Sequence, residues 1–367
     1  MSTAGELASH LPDIAQQRLR NQRLTGARLP GITEVVGWFG AVQSQEYAVA
    51  KWSVGERATG STDAALDRAL ADGTIIRTHV PRGTWHFINA EDVRWLIELT
   101  GPRVHTRMAT YYRQQGLDSV AFDKCHRLLV DLLSGGNQLT RKELATAIIE
   151  AGIAADNFTV GFLLIHAELE QVVCSGGLKG KQRTYALFDE RVPPAPPRDR
   201  DEALADLVRR YFTSHGPATR ADFQWWSGLV AADAKRGLAL VGADLVATEV
   251  DGQQYWSAPG EPPGRPEPSP TVHLLQAFDE YLVAYTGRRK AFDLAGLASV
   301  RDPMLHVVIV DGQFAGGWRR TLTADAMTIE VRPARPFEPA EQAALAAAVD
   351  EYAAFVGVPA TLVVPDA

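Results

Sequence analysis

Two glutamines two residues apart, Gln43 and Gln45, close the apolar helical run Val35, Val36, Phe39, Val42. On a strand or extended turn that spacing turns both side chains to one side. A carboxamide takes no part in proton transfer near neutral pH. What it offers is hydrogen bonds and an oriented dipole. Two such residues at a helix end also serve, in general, as solvated polar groups or backbone caps. The second stretch of interest is IRTHVPRGTWHF, Ile76 to Phe87, which gathers arginines, histidines and threonines within one hairpin.

The usual signatures of hydrolytic chemistry fail. Gly180-Lys181 looks like the end of a phosphate loop, but Ser175 stands at its first glycine and Gln182 at its final Ser/Thr. Lys179, Lys181 and Arg183 read better as the basic tip of a hairpin. There is no HExxH, CxxC or nucleophile elbow. The nine histidines are scattered, and Cys125 and Cys174 lie far apart. No metal, cofactor or disulfide framework is therefore expected, and the cytoplasm is the expected compartment.

The elements that must position these residues repeat three times: helices, a capped helix, then a hairpin. The first unit has a helix from Thr62 or Asp63 to about Ala71. Strands Thr74 to Val80 and Thr84 to Asn89 follow, joined by Pro81-Arg82-Gly83. In the second, Thr140-x-x-Glu143 is a capping box before RKELATAIIEAG. An apolar helix near Val160 to Val172 and the strands VVCS and TYALF complete it. The third repeats the cap at Thr219-x-x-Asp222, then FQWWSGL, a helix near Ala231 to Leu240, and LVATEV and QQYWSA across Asp251-Gly252. Short helices followed by a hairpin are the parts of a winged helix.

The expected fold is α+β: three tandem winged-helix units and a C-terminal β-rich, barrel-like module, curved around DNA. Pro-rich stretches at Val192 to Pro197 and Pro259 to Pro270 punctuate the chain. Expected boundaries are 1–100, 101–192, 198–258 and 271–367. The last module should hold an apolar helix HLLQAFDEYLVAY, strands MLHVVIVDG and QFAGGWRRTL across Asp311-Gly312, a strand MTIEVRP, and an Ala-rich helix from about Pro339 to Val356.

A net charge of −7 sits awkwardly with DNA binding, which draws on phosphate neutralisation. The charge is uneven, however. Residues 1–120 hold 13 basic and 12 acidic residues. Arg18, Arg20, Arg23 and Arg28 follow one another without an acid between them. So do Arg103, Arg107 and Arg113, among His105, Tyr111 and Tyr112. Such stretches suit a basic face on an acidic body. No apolar run is long enough to span a bilayer, and the start MSTAGELASHLPDIAQQ lacks a signal-peptide layout.

VQSQEYAVAKWSVGER resembles the paired-glutamine motif of the AlkZ-like winged-helix DNA glycosylases. THVPRGTWHFI is similar to that family's RGT-x-H stretch, LLQAFDEYLVAY to its FDEYL helix, and VVIVDGQFAGGWRR to its C-terminal hairpin. The four occur in family order and cover most of the chain. The resemblance implies a monofunctional glycosylase acting on duplex DNA that carries alkylated purine. Glutamine at both motif positions resembles the branch associated with bulky or crosslinked N7-guanine adducts, in repair or in self-resistance to natural products. It assigns Gln43 and Gln45 to water placement and stabilisation of a sugar cation. Trp52, Arg57, Arg77, His79, Arg82, Thr84 and His86 become candidate pocket or backbone contacts, with Arg20 and Arg107 on DNA-facing surfaces. Arg82, at the wing turn, is the foremost of these.

Asp279 and Glu280 are expected to pair with arginines as structural groups, and Trp225-Trp226 to lie in the core. A monomer is expected. The rival reading is a winged-helix transcription regulator without catalysis, since fold does not fix function. A protein–protein scaffold fits the charge but leaves the glutamines and RGTWH unexplained.

Overall fold

The computed structural model describes residues 14–259, 269–286 and 306–364. The start of the chain before residue 14 and most of the Pro-rich stretch Pro259 to Pro270 lie outside the described residues.

One topology recurs three times: a helix, a short strand, two helices and a hairpin whose second strand pairs with the short strand. In the first unit these are α2 (Ile32–Phe39), β1 (Val42–Gln43), α3 (Tyr47–Gly55), α4 (Asp63–Asp72), β2 (Ile75–His79) and β3 (Trp85–Asn89), preceded by a helix α1 over residues 14–21. The sheet runs β1-β3-β2. Thr62 accepts the Ala65 N–H to start α4, and Gly73, at φ 84°, ends it in the left-handed conformation. The long helix α5 (Ala90–Gln114) leads into the second unit.

That unit comprises α6 (Ser119–Leu133), β4 (Leu139–Thr140), α7 (Arg141–Glu150), α8 (Asn157–Leu169), β5 (Val173–Lys179) and β6 (Gln182–Leu187), in sheet order β4-β6-β5. A short helix α9 (Phe188–Arg191) follows. The third unit has α10 (Arg200–Ser214), α11 (Arg220–Ser227), α12 (Ala231–Val241), β7 (Val246–Val250) and β8 (Gln253–Ser257). Here the short strand shrinks to one bridge, Ala218 to Trp256. Both expected capping boxes form, Thr140 with Glu143 and Thr219 with Asp222.

The C-terminal module is an open sheet, not a barrel. β9 (Val272–Leu275), a one-turn helix α13 (Glu280–Val283), β10 (His306–Val310), β11 (Gln313–Leu322) and β12 (Met327–Pro333) are followed by α14 (Pro339–Val356) and β13 (Ala360–Val363). The order β13-β12-β11-β10-β9 has two ends, and β13 lies parallel to β12. HLLQAFDEYLVAY is therefore no single helix. Its first residues form buried β9, paired to β10, and Asp279 caps α13 by accepting the Tyr281 N–H. Periodicity alone does not separate a short buried strand from a helix.

The cores tie distant segments together. Val35, Phe39, Trp52 and Phe87 of the first unit pack with Trp318, Tyr352 and Phe355 of the C-terminal module. Leu96 and Leu99 of α5 join Tyr211, Phe212 and Trp226 of the third unit and Tyr281 and Tyr285 beside α13. The second unit keeps a core largely of its own, around Leu129, Leu144 and Leu163. Gly55 allows the closest of these approaches: a Cβ there would stand 2.3 Å from the Phe355 ring. The first unit is thus held on one side by the C-terminal sheet and on the other by the third unit.

Candidate active site

β1 is two residues long and pairs with β3, setting Gln43 opposite His86. Among the described residues no strand covers its other edge. The Gln43 N–H donates instead to Glu280 Oε1 at 2.7 Å, and Gln276 Nε2 reaches the Gln43 carbonyl at 3.5 Å. A buried side chain thereby does what a neighbouring strand would do. The Gln43 amide is almost wholly buried. Its Oε1 accepts from Arg82 Nη2 at 2.8 Å, while Arg82 Nη1 donates to the Trp226 carbonyl at 2.6 Å. Arg82 sits on the turn between β2 and β3 at φ 59°, a conformation rare for a side-chain-bearing residue. Those two hydrogen bonds hold it there.

Ser44 continues the strand for one bond, its N–H donating to the Trp85 carbonyl at 2.7 Å. Its carbonyl accepts from Arg77 Nη2 at 2.9 Å and Nε at 3.2 Å. Gln45 is exposed, and its Oε1 accepts from the Trp85 N–H at 3.4 Å. The pair is therefore split by environment: Gln43 is locked beneath Arg82, and Gln45 stands at the surface beside Trp85.

The charges around them are fixed by burial and hydrogen bonding. Burial pushes the Glu280 carboxyl upward, but the hydrogen bond from His215 (3.2 Å), neighbouring His86 and the Gln43 N–H bring it down to about 2. Trp226 Nε1 adds a donor at 2.8 Å. This anion has its oxygens occupied and is no base. Burial, with Arg82 nearby, pulls His86 down to about 3. It is neutral: Nδ1 faces the Thr84 carbonyl at 2.9 Å, and buried Nε2 has no hydrogen-bond partner among the described residues. Arg77 falls to about 9 through burial and the adjacent Arg183, and still carries its charge at neutral pH.

Beside Trp85, between the first hairpin and the second unit, lies a cleft of about 650 Å³ lined by Arg77, Arg141, Lys142, Lys181 and Arg183, and by no carboxylate among the described residues. On a chain of net charge −7 this is a local reversal of sign.

A family model of AlkZ-like DNA glycosylases matches residues 36–355. The chain belongs to the AlkZ-like DNA glycosylase family. It is accordingly a DNA glycosylase, a hydrolase of N-glycosyl bonds. An interstrand DNA cross-link repair glycosylase of Streptomyces sahachiroi is 24% identical over 327 residues, 82% of this chain and 85% of that protein. The solved Streptomyces sahachiroi DNA glycosylase AlkZ matches with a TM-score of 0.76 at 21% identity, over 96% of this chain and 99% of that one. At that identity the likeness speaks for the fold, and the three-unit layout agrees with it.

The AlkZ-like motifs meet in space. QSQ begins at the end of β1 and runs past it, RGT-x-H lies on the turn and strand beside it, and FDEY packs against Gln43 through Glu280. Gln43, Gln45, Arg82, Thr84 and His86 come together, with Arg77 and His79 on the cleft side, His79 held by Glu168. Trp52 does not join them. It is buried, donates to the Leu274 carbonyl at 3.0 Å and packs on Tyr352 and Phe355. Arg57 is likewise a correction: fully buried, it forms a two-point ion pair with Asp279, at 2.7 and 2.9 Å. Arg20 and Arg107 are exposed on α1 and α5. Arg18, however, is buried over the Tyr285 ring, and Arg28 pairs with Glu351, so their stretch is no single basic face.

Asp279 pairs with an arginine as expected, but Glu280 takes His215 and Trp226 instead. Trp226 is core; Trp225 is about half exposed, its indole N–H donating to the Val283 carbonyl and its ring near Arg82. His215 and Gln276 gave no signal in the sequence, since both act only through residues far along the chain. Glu46 was legible as the residue after Gln45. Burial raises its carboxyl, and it faces His306 at 3.9 Å.

Proposed function

We propose that this AlkZ-like glycosylase excises N7-alkylated guanine, including bulky or crosslinked adducts, from duplex DNA, and leaves an abasic site without cutting the strand. One observation carries the reading: neither titratable side chain set against Gln43, Glu280 or His86, is a proton donor fit for general acid catalysis. Glu280 is an occupied anion, His86 is neutral with its N–H turned to Thr84, and the group bonded to the Gln43 amide oxygen is the Arg82 guanidinium. Such a site needs a leaving group that is already cationic. Alkylation at N7 supplies one. The glycosidic electron pair moves onto the base, which departs neutral, and the sugar becomes an oxocarbenium ion. A water attacks C1′ and loses its proton to solvent.

In this scheme the exposed Gln45 positions the water, and the Gln43 dipole faces the sugar cation. Arg82 and the basic cleft take phosphates on either side. The enzyme acts as a cytoplasmic monomer; none of the described helices is long and apolar enough to cross a membrane. The name of the Streptomyces sahachiroi relative supports crosslinks as substrates.

An amine nucleophile is unsupported. Lys51, six residues past Gln45, is buried between Asp63 (2.6 Å) and Asp67 (2.9 Å), so its ammonium is held in ion pairs away from a sugar at Gln45. A duplex with one N7-methylguanine, incubated with enzyme, should break only after alkali, and borohydride should trap nothing. No alkali-labile site, or a trapped adduct, contradicts the proposal.

A further inference from the structure

Apart from the amide pair, four side chains converge that the glycosylase chemistry does not use. His105 comes from α5, His126 from α6, and His166 and Glu170 from the end of α8. The donor atoms of His105, His166 and Glu170 lie within 4.8 Å of one another, the one such group among the described residues. His105 Nε2 stands 3.1 Å from Glu170 Oε1, and His126 Nε2 stands 3.2 Å from His166 Nδ1. Ligand atoms of a four-coordinate zinc ion are separated by about 3.3 Å, given metal–nitrogen bonds of about 2.0–2.1 Å. We propose that His105, His166 and Glu170, with His126 as a fourth donor, form a structural site for a divalent transition metal of the zinc class.

Two further features fit a cation at this position. His105 Nε2 is buried and, among the described residues, makes no well-formed hydrogen bond, with Glu170 Oε1 standing 3.1 Å away. Glu170 terminates α8, where the helix dipole disfavours an anion and a bound cation would offset both. Imidazoles and one carboxylate select a borderline ion over magnesium or calcium. The ion would join α8 to α5 and α6, fixing the helix whose other residues Asn157, Gly161 and Leu164 line the basic cleft.

The test uses the full chain, stripped with a chelator and titrated with Co²⁺. One equivalent should bind with the visible absorption of four-coordinate cobalt, and Zn²⁺ should displace it and raise Tm by several degrees. Glu170→Gln changes a half-exposed residue and should weaken binding at least tenfold with the fold intact by circular dichroism. His166→Ala should abolish the cobalt band. A wild-type protein that binds no stoichiometric cobalt or zinc overturns the site, as does a band unchanged in Glu170→Gln and His166→Ala. No readout involves DNA, so this result stands apart from the proposed excision chemistry.

Discussion

Gln43 does not act alone, because its amide oxygen already accepts from Arg82. One guanidinium spans two acceptors, Gln43 Oε1 and the Trp226 carbonyl, a fork an ammonium does not reproduce. Arg82→Lys should therefore lower single-turnover excision nearly as much as Arg82→Ala, by at least tenfold. A lysine variant at the wild-type rate would show that only charge matters there. His86 gives a pH prediction. Its folded pKa, about 3, lies below the ordinary histidine value of 6.5. Below pH 6.5 the unfolded chain takes up a proton that the folded chain refuses. The stability this group confers is thus complete above pH 6.5 and declines as pH falls toward 3, by up to about 1.4 kcal/mol per pH unit. His86→Gln should flatten the fall in urea midpoint between pH 7 and pH 5, and an unchanged slope would refute a neutral, buried His86. Gln43, Gln45 and Arg82 were legible because motif and hairpin turn fixed their positions. Trp52, Arg57 and Lys51 were not, since their burial depends on Leu274, on Asp279, and on Asp63 and Asp67 of α4.

At the scale of elements, caps and hairpins were readable from sequence, and short strands were not. Thr140 with Glu143 and Thr219 with Asp222 announce α7 and α11 by local chemistry alone. β1 and β4 have two residues each, too few for an alternation to show, and parallel β13 pairs with a strand across a helix. The apolar run before α13 carried no period that separates strand from helix. What the sequence could not reveal is the function of that turn: Glu280 closes the open edge of β1 and receives Trp226 and His215 of the third unit. Glu280→Ala leaves three buried donors without their acceptor. It should destabilise the protein by about 3 kcal/mol or more, read by urea unfolding. A loss below about 0.5 kcal/mol, typical of a surface change, would show that Glu280 does not join the units.

For the whole molecule, the proposed function has an acidic chain meet a polyanion through a basic cleft between its first and second units. Net charge alone pointed the other way; the cleft arises because Arg77 and Arg183 come from hairpins of different units, which no linear charge count brings together. Reversing Arg141 and Arg183 to Glu should weaken binding to damaged and plain duplex alike. The salt slope of log K should become shallower by about 1.8, or about 0.9 for each phosphate no longer neutralised. Salt dependence unchanged by the double reversal would place DNA elsewhere. On the proposed mechanism, the common frame of three winged helices and a sheet holds two neutral amides beside a strand edge where a cationic base is lost. The measurement closest to that claim is single-turnover excision of N7-methylguanine from duplex by Gln43→Ala and Gln45→Ala, with duplex affinity measured on the same preparations. Each variant should be slowed at least tenfold, ~1.4 kcal/mol in activation free energy, with affinity within about twofold of wild type. Rates within twofold of wild type in both variants would remove the amides from the mechanism.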